Sequence, residues 1–293
     1  MTINPFQNAA AFALATFMCA SAQSSPPSAI AVAQNDHFEN LLSLANQGDP
    51  DAQNNIGVMY ADGKGIRHDS KIAAYWFRKS AEQGYPEAQY NMGRIYYTGT
   101  GVPKDSATAA NWYRKAANQG YMLAQTNLGV LYAQGDGVPY DNELAVAWYA
   151  KAAMQGDANA QCNLGTMYDD GLGVAQDSAL AVNWYSKAAV RGHAKCQYNL
   201  GISYDTGRGV NRDSVMAFSW YRKAAENGVP EAQYNVGVMY SNGDGVPIDY
   251  VQAFKWLTSA VANSDGPTRA IAIDARKTVI SKMTSLQLAE AKR

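Results

Sequence analysis

The sequence predicts an all-α solenoid of six 36-residue helix–turn–helix repeats with a helical cap at each end. Three observations predict it. Six glycines, Gly48, Gly84, Gly120, Gly156, Gly192 and Gly228, stand 36 residues apart. The six tryptophans of the chain, Trp76, Trp112, Trp148, Trp184, Trp220 and Trp256, keep the same interval with no insertion or deletion. Between these markers the apolar residues recur at helical spacing. A fixed period of about 20–50 residues marks an array of small units, each burying its apolar face against its neighbours. That period overrides the two globular domains that 293 residues would otherwise suggest.

The elements follow in order. Residues 1–22 read as a signal peptide. Ala9 to Met18 is an uncharged apolar run too short to span a membrane as a mature helix, and Ala20-Ser21-Ala22 is a small-x-small cleavage site. The first basic residue is Lys64, so the leader lacks the usual positive start. Cys19 follows the bulky Met18, which disfavours lipid attachment. Residues 23–35, rich in Ser, Pro, Ala and Gln, read as a flexible tether. The solenoid is placed at 36–283. Its amino-terminal cap, about 36–47, resembles the second helix of a repeat with Asn40 in the Trp column. The repeats run from about 48 to 263. Ser264 then replaces the repeat glycine, a cap helix follows at about 267–283, and residues 284–293 form a short cap helix and tail. Polar outer faces at such ends keep a solenoid soluble.

The second unit shows the local reasons. Pro86-Glu87-Ala88 opens helix A, with Pro in the first turn and Glu beside the positive helix end. Helix A runs to about Tyr97. Gly99-Thr100-Gly101-Val102-Pro103 is a loop, and Asp105 or Ser106 caps helix B. Ala109, Trp112, Tyr113, Ala116 and Ala117 form the apolar stripe of helix B, with Lys115 near its carboxyl end. The small residues let two helices approach, and the Trp and Tyr rings fill the gaps between hairpins. Truncating one such Trp, if fully buried, would cost about 3–5 kcal/mol. Asn55, Asn91, Asn127, Asn163, Asn199 and Asn235 form a polar column in mid-helix, against propensity. Bonding to the adjacent layer explains it better than an exposed ligand ladder.

The third unit carries the pattern in full: Ala124-Gln125, Asn127-Leu128-Gly129, Tyr132, Gly135-Asp136-Gly137-Val138, Asp141, Ala145, Trp148-Tyr149, Lys151-Ala152-Ala153 and Gly156. This pattern resembles the Sel-1-like repeat family, from about Leu41 to Asn263. The resemblance implies a right-handed α/α superhelix related to tetratricopeptide repeats. It also implies adaptor roles: scaffolding membrane-associated assemblies, regulating signalling proteins, and host contact or envelope work in bacteria. It names no partner.

Charge and motifs narrow the chemistry. A formal net charge of −1 gives no reason to expect nucleic acid or an anionic membrane surface. Some relatives of this family carry beta-lactamase labels, but S-x-x-K, S-D-N and K-T-G are all absent, and Lys277-Thr278 is followed by Val279. No catalytic residue, cofactor or metal is expected. The histidines His37, His68 and His193 have no Cys or His partner at ligand spacing, and the Gly-Asp-Gly loops lack alternating acidic ligands. Cys196 stands in the buried alanine column, and Cys162 in a variable column one helix away. An oxidising compartment would allow a bridge, but the difference in column argues against it.

Within helix A the columns of residues 54, 58 and 61 vary most, and their spacing of four and three puts them on one face. That face is expected to be concave and to hold a partner. It offers Tyr90, Arg94, Tyr97, Thr126, Val130, Thr166, Asp169, Tyr198, Ile202, Asp205, Tyr234 and Val238. Tyrosines among aliphatic residues with one Arg resemble an interface core; alternatively, the tyrosines only shield helix packing. The expected function is a non-catalytic scaffold, periplasmic or secreted and envelope-associated, that binds a protein or peptide. A glycan or peptidoglycan binder that stacks Tyr rings on sugars is the alternative, a beta-lactamase-like enzyme a third, and a cytoplasmic location the alternative placement. No stable membrane insertion of the mature chain is expected.

Overall fold

The computed structural model describes residues 29–293. Among them are fifteen helices and no strand. They are α1 (Ala29–Asn46), α2 (Pro50–Asp62), α3 (Ser70–Glu82), α4 (Pro86–Thr98) and α5 (Ser106–Asn118). Then come α6 (Met122–Gln134), α7 (Asn142–Met154), α8 (Ala158–Asp170), α9 (Ser178–Ala189) and α10 (Ala194–Thr206). The last are α11 (Ser214–Glu226), α12 (Pro230–Asn242), α13 (Tyr250–Asn263), α14 (Gly266–Lys282) and α15 (Ser285–Ala291). The expected leader, with Cys19, lies outside the described residues. The first helix starts at Ala29, inside the stretch expected to be a tether, so the amino-terminal cap helix is longer than its sequence signal. No helix among the described residues is long and apolar enough to cross a membrane.

Helices α2 to α13 alternate as helix A and helix B, and each packs on the one before and the one after. There is no single core. Buried residues gather in successive clusters, one for each layer. At the carboxyl end α14 packs on α12 and α13, where a seventh helix A would stand, and α15 covers α13.

The helix boundaries follow from side chains. Every helix B is capped by an aspartate, Asp69, Asp105, Asp141, Asp177, Asp213 or Asp249. Each accepts a backbone N–H of the first turn at 2.8–3.0 Å. In the second unit the cap is therefore Asp105, and Ser106 is the first helical residue. At the other end of the loop, Gly135 and its counterparts close each helix A in the left-handed conformation.

The second loop glycine joins layer to layer. Gly137 has φ +73°, and a Cβ added there would lie 2.2 Å from the carbonyl carbon of Ser106, the first residue of the preceding helix B. Gly101, Gly173, Gly209 and Gly245 meet Ser70, Asn142, Ser178 and Ser214 in the same way. The mid-helix glycine serves the hairpin: the Tyr149 ring rests on Gly129, where a Cβ would be only 2.7 Å from ring carbons.

That ring corrects one expectation. In five of the six B helices the deepest large residue is the one after the tryptophan: Tyr113, Tyr149, Tyr185, Tyr221 and Leu257 are all buried, while in the first unit Trp76 and Phe77 are buried alike. Trp112, Trp148, Trp184 and Trp256 are only half-buried, whereas Trp76 and Trp220 are buried. A step of about 100° around the helix separates the two positions. The Tyr faces the glycine gap, and the Trp lies at the rim. There Lys115, Lys151, Lys187 and Lys223 each sit 4.0 Å above the indole three residues earlier.

Two polar columns stitch the layers. The helix-A glutamine, for example Gln89, donates to the Ala81 carbonyl at 3.2 Å and accepts from Gln119 at 2.9 Å. The asparagine column does bond across layers: Asn91 donates to Asn54 at 3.0 Å. Asn127, Asn163, Asn199 and Asn235 meet the hydroxyls of Tyr113, Tyr149, Tyr185 and Tyr221 on the preceding helix B.

Candidate functional site

The helix-A face is assembled by an offset between consecutive A helices. Side-chain contacts between consecutive A helices fall at 34 residues, or about one turn to either side of it, as in Asn54 with Asn91 and Thr126 with Asp157, rather than at 36. The Tyr85 hydroxyl donates to Asp51 at 2.7 Å, and the His193 ring meets the Asn159 carbonyl oxygen at 3.1 Å. Each layer is thus shifted by about half a turn against the last, and the face is a staircase of unlike neighbours.

The amino-terminal part of this face is aromatic. Tyr90 packs on Tyr113 at 5.8 Å and on Tyr121 at 5.2 Å between ring centres. The exposed Arg94 guanidinium stands 5.9 Å over the Tyr90 ring. Beside it Tyr97 and Val130, with Tyr113, Asn127 and Leu131, line a cleft of about 80 Å³. Small-molecule sites enclose about 300–1,000 Å³, so this cleft takes one side chain rather than a metabolite. Lys104 lies 5.5 Å over the Tyr97 ring, so the rim carries two cations. Burial raises the Tyr113 and Tyr121 hydroxyls above the usual phenol range and keeps them neutral.

The carboxyl-terminal part is more self-contained. Tyr198 packs on Tyr221 at 5.7 Å, with Ile202 in the same cluster. Tyr234 and Val238 pack against the cluster of Leu257. Asp169 pairs with Arg208 at 2.9 Å, and Asp205 faces Arg212 at 4.0 Å. Thr166 donates to its own helix at the Cys162 carbonyl. Thr126, expected on the binding face, is only 6% exposed and bonds Asp157 at 3.1 Å, which removes it from the surface. The tyrosines at positions 90, 198 and 234 pack against neighbouring rings and clusters; Arg94 is exposed, and the rest of the face, Tyr97 and Val130 among it, is half-buried apart from Thr126.

Cys162 and Cys196 form a disulfide between α8 and α10, with Cα atoms 5.7 Å apart. This corrects the expectation from their columns. They lie 34 residues apart, which is an offset at which consecutive A helices touch. The Asp51/Tyr85 pair carried that offset in the sequence, but nothing in a column comparison selects it. The structure also gives His193 the partners the sequence reading denied it. Its ring nitrogen and both sulfurs lie within 4.8 Å of one another. Its Nδ1 accepts the Cys196 backbone N–H at 3.2 Å and caps α10. Burial lowers the His193 pKa below the ordinary histidine value, which favours the neutral ring. In the same layer Arg191 stands where other units place Gln or Asn. Arg191 bonds the Gly156 carbonyl, and the buried Gln161 carbonyl oxygen is left without a partner.

Comparison with known proteins agrees with this architecture. Residues 50–85, 86–121, 123–157, 158–193, 194–229 and 230–265 each match the Sel1 repeat. A protective antigen of uropathogenic Escherichia coli strains, which displays an SLR fold, is 36% identical with a TM-score of 0.79. The match covers 87% of this chain and 55% of that one, so the chain spans little more than half of that relative's length. A Sel1 repeat protein from Oxalobacter formigenes is also 36% identical, with a TM-score of 0.68 over 78% of this chain and 100% of that one. No curated protein matches the chain. With six consecutive matches along more than half its length and a helical array that repeats with them, the chain belongs to the Sel1 repeat family.

Proposed function

We propose that this protein is a non-catalytic scaffold that holds a protein or peptide on its helix-A face, centred on Arg94 and Tyr97. Sel1 repeat proteins are in general protein-interaction scaffolds. One observation carries the finer reading: Tyr97 lines a cleft of about 80 Å³, the size of one side chain, and the exposed Arg94 stands one turn before it on the same helix, over the Tyr90 ring. Arginine and tyrosine are among the side chains that most often carry interface energy when a partner residue packs against them. A segment that inserts an apolar side chain beside Tyr97 and sets a carboxylate against Arg94 fits this chemistry. The partner meets an edge made by α4 and α6, so neither helix alone provides the site.

Export to the periplasm or the medium is part of the same reading. The apolar run Ala9 to Met18 supports it, and so does the disulfide, because such bonds persist in oxidising compartments. The test is affinity capture from the native host with wild type and with Arg94→Ala/Tyr97→Ala. Arg94 is exposed and Tyr97 half-buried at the edge of its cluster, so the variant is expected to keep the wild-type circular dichroism with a modestly lower melting temperature. A specific partner recovered by wild type and reduced at least about tenfold with the folded variant supports the site. Equal recovery removes it.

A further inference from the structure

The junction of α8 and α10 differs in its chemistry from the other four junctions between consecutive A helices. The column that holds Cys196 carries alanine elsewhere, at Ala52, Ala88, Ala124, Ala160 and Ala232. The column of Cys162 carries Asn54, Tyr90, Thr126, Tyr198 and Tyr234. The 34-residue offset brings these two sulfurs together, and His193, three residues before Cys196, turns its ring onto the pair. Both cysteines are buried, at 1% and 0% exposure, while His193 is half-buried and opens a route from solvent.

We propose that when the Cys162–Cys196 bridge is reduced, Cys162, Cys196 and His193 form a three-ligand site for a thiophilic closed-shell cation, Zn²⁺ or Cu⁺. Two thiolates and one imidazole are the donor set these ions select over hard oxygen ligands. The geometry is compatible. Two Zn–S bonds of about 2.3 Å at the tetrahedral angle place the sulfurs about 3.8 Å apart, within the 4.8 Å that already contains all three donor atoms. The imidazole is oriented by its outer nitrogen: Nε2 faces the Asn159 carbonyl oxygen at 3.1 Å, the kind of partner that fixes the ring of a metal-bound histidine. That leaves Nδ1, the acceptor of the Cys196 N–H, as the donor to the metal. Binding there exchanges the cap bond to the Cys196 N–H for a metal bond, a local cost confined to the first turn of α10.

The steps balance without a hidden reactant. A phosphine reductant breaks the S–S bond and takes the oxygen of one water as phosphine oxide, and the two hydrogens of that water leave both sulfurs as thiols. On binding, each thiol releases one proton to buffer as its sulfur–metal bond forms. Oxidised, the layer is clasped by a covalent bond. Reduced and loaded, it is clasped by the metal between the same two helices.

The full chain is the test object. Protein reduced with a phosphine and desalted without oxygen is titrated with Co²⁺, as the spectroscopic stand-in for Zn²⁺, and separately with Cu⁺ against a chromophoric Cu⁺ chelator. One equivalent bound with a thiolate-to-metal absorption band is expected for at least one ion, and none for the oxidised chain. Cys196→Ala restores the residue of the other five units and is expected to abolish the band. His193→Asn keeps a helix-capping acceptor and is expected to weaken binding at least about tenfold. Circular dichroism follows each sample. If reduction lowers the helical signal, metal is expected to restore it. No binding by the reduced chain, equal binding by the oxidised chain, undiminished binding by His193→Asn, or a lost helical signal that metal fails to restore each overturns the site.

Discussion

Replacing Gly137 by alanine is expected to loosen one layer from the next, and the structure sets the size of the effect. Gly137 has φ +73°, where a residue with a Cβ is strained by about 1–2 kcal/mol. Its added Cβ would also lie 2.2 Å from the carbonyl carbon and 2.3 Å from the carbonyl oxygen of Ser106. These are backbone atoms at the start of α5, anchored by the Asp105 cap, so the helix end must move. Overpacking of this kind adds about 1–3 kcal/mol, for a total of about 2–5 kcal/mol. Gly120 is the internal control. Its φ is +88°, but a Cβ there meets nothing within 4 Å, so Gly120→Ala should cost only the backbone strain, about 1–2 kcal/mol. Urea unfolding of both variants, read by circular dichroism and tryptophan fluorescence, measures the difference. Gly137→Ala should also lower the denaturant slope, because units that no longer grip each other unfold in smaller steps. If the midpoints of the two variants coincide, the glycine contact is not what couples the layers.

Three further outcomes follow from the same packing. Tyr185→Ala should cost about 3–5 kcal/mol and Trp184→Ala clearly less, since the tyrosine is 3% exposed and the tryptophan half-buried; a reversed order in thermal or urea unfolding contradicts the placement of the two rings. Arg191→Gln should stabilise the protein by about 0.5–1.5 kcal/mol. At the matching position Gln119 donates both to the Gly84 carbonyl and to Gln89, so a glutamine at 191 would keep the Gly156 bond and supply the orphaned Gln161 oxygen; a lower melting temperature would contradict this. Stability should also fall above pH 10. Burial pushes the Tyr149 hydroxyl up to about 12 and raises Tyr113, Tyr185 and Tyr221 as well, while an unfolded tyrosine ionises near 10. Both states are protonated below pH 10. Above it the unfolded chain loses protons first, and stability drops until the folded tyrosines ionise too. Equal urea midpoints at pH 9 and pH 11 would contradict the burial of these hydroxyls.

The period made the helices and their order legible, because glycine, aspartate and tryptophan recur where a helix ends, begins or packs. Asp105 and Gly99 act locally, within a few residues, and local chemistry is what one sequence displays best. The relation between layers was not legible in the same way. Comparing columns treats residue 162 as the neighbour of 198, whereas the shift between A helices makes it the neighbour of 196. The disulfide and the approach of His193 both follow from that shift. Both Trp and Tyr were expected to fill the gaps between hairpins: adjacent residues share a stripe on paper, but a rotation of about 100° turns four of the six tryptophans toward the rim. On the candidate face, Arg94 and Tyr97 were legible as variable positions. The burial of Thr126 was not legible, because its partner Asp157 lies in the next layer.

Site-specific photocrosslinking in the native host tests the central claim most directly. A photoreactive side chain is placed at Arg94 or Tyr97 on the helix-A face, or at Asn111 or Lys115 on the exposed side of α5. The account predicts a discrete adduct with the same partner from the first two positions and none from the last two. Adducts that form equally on both sides, or only from Asn111 and Lys115, would contradict it.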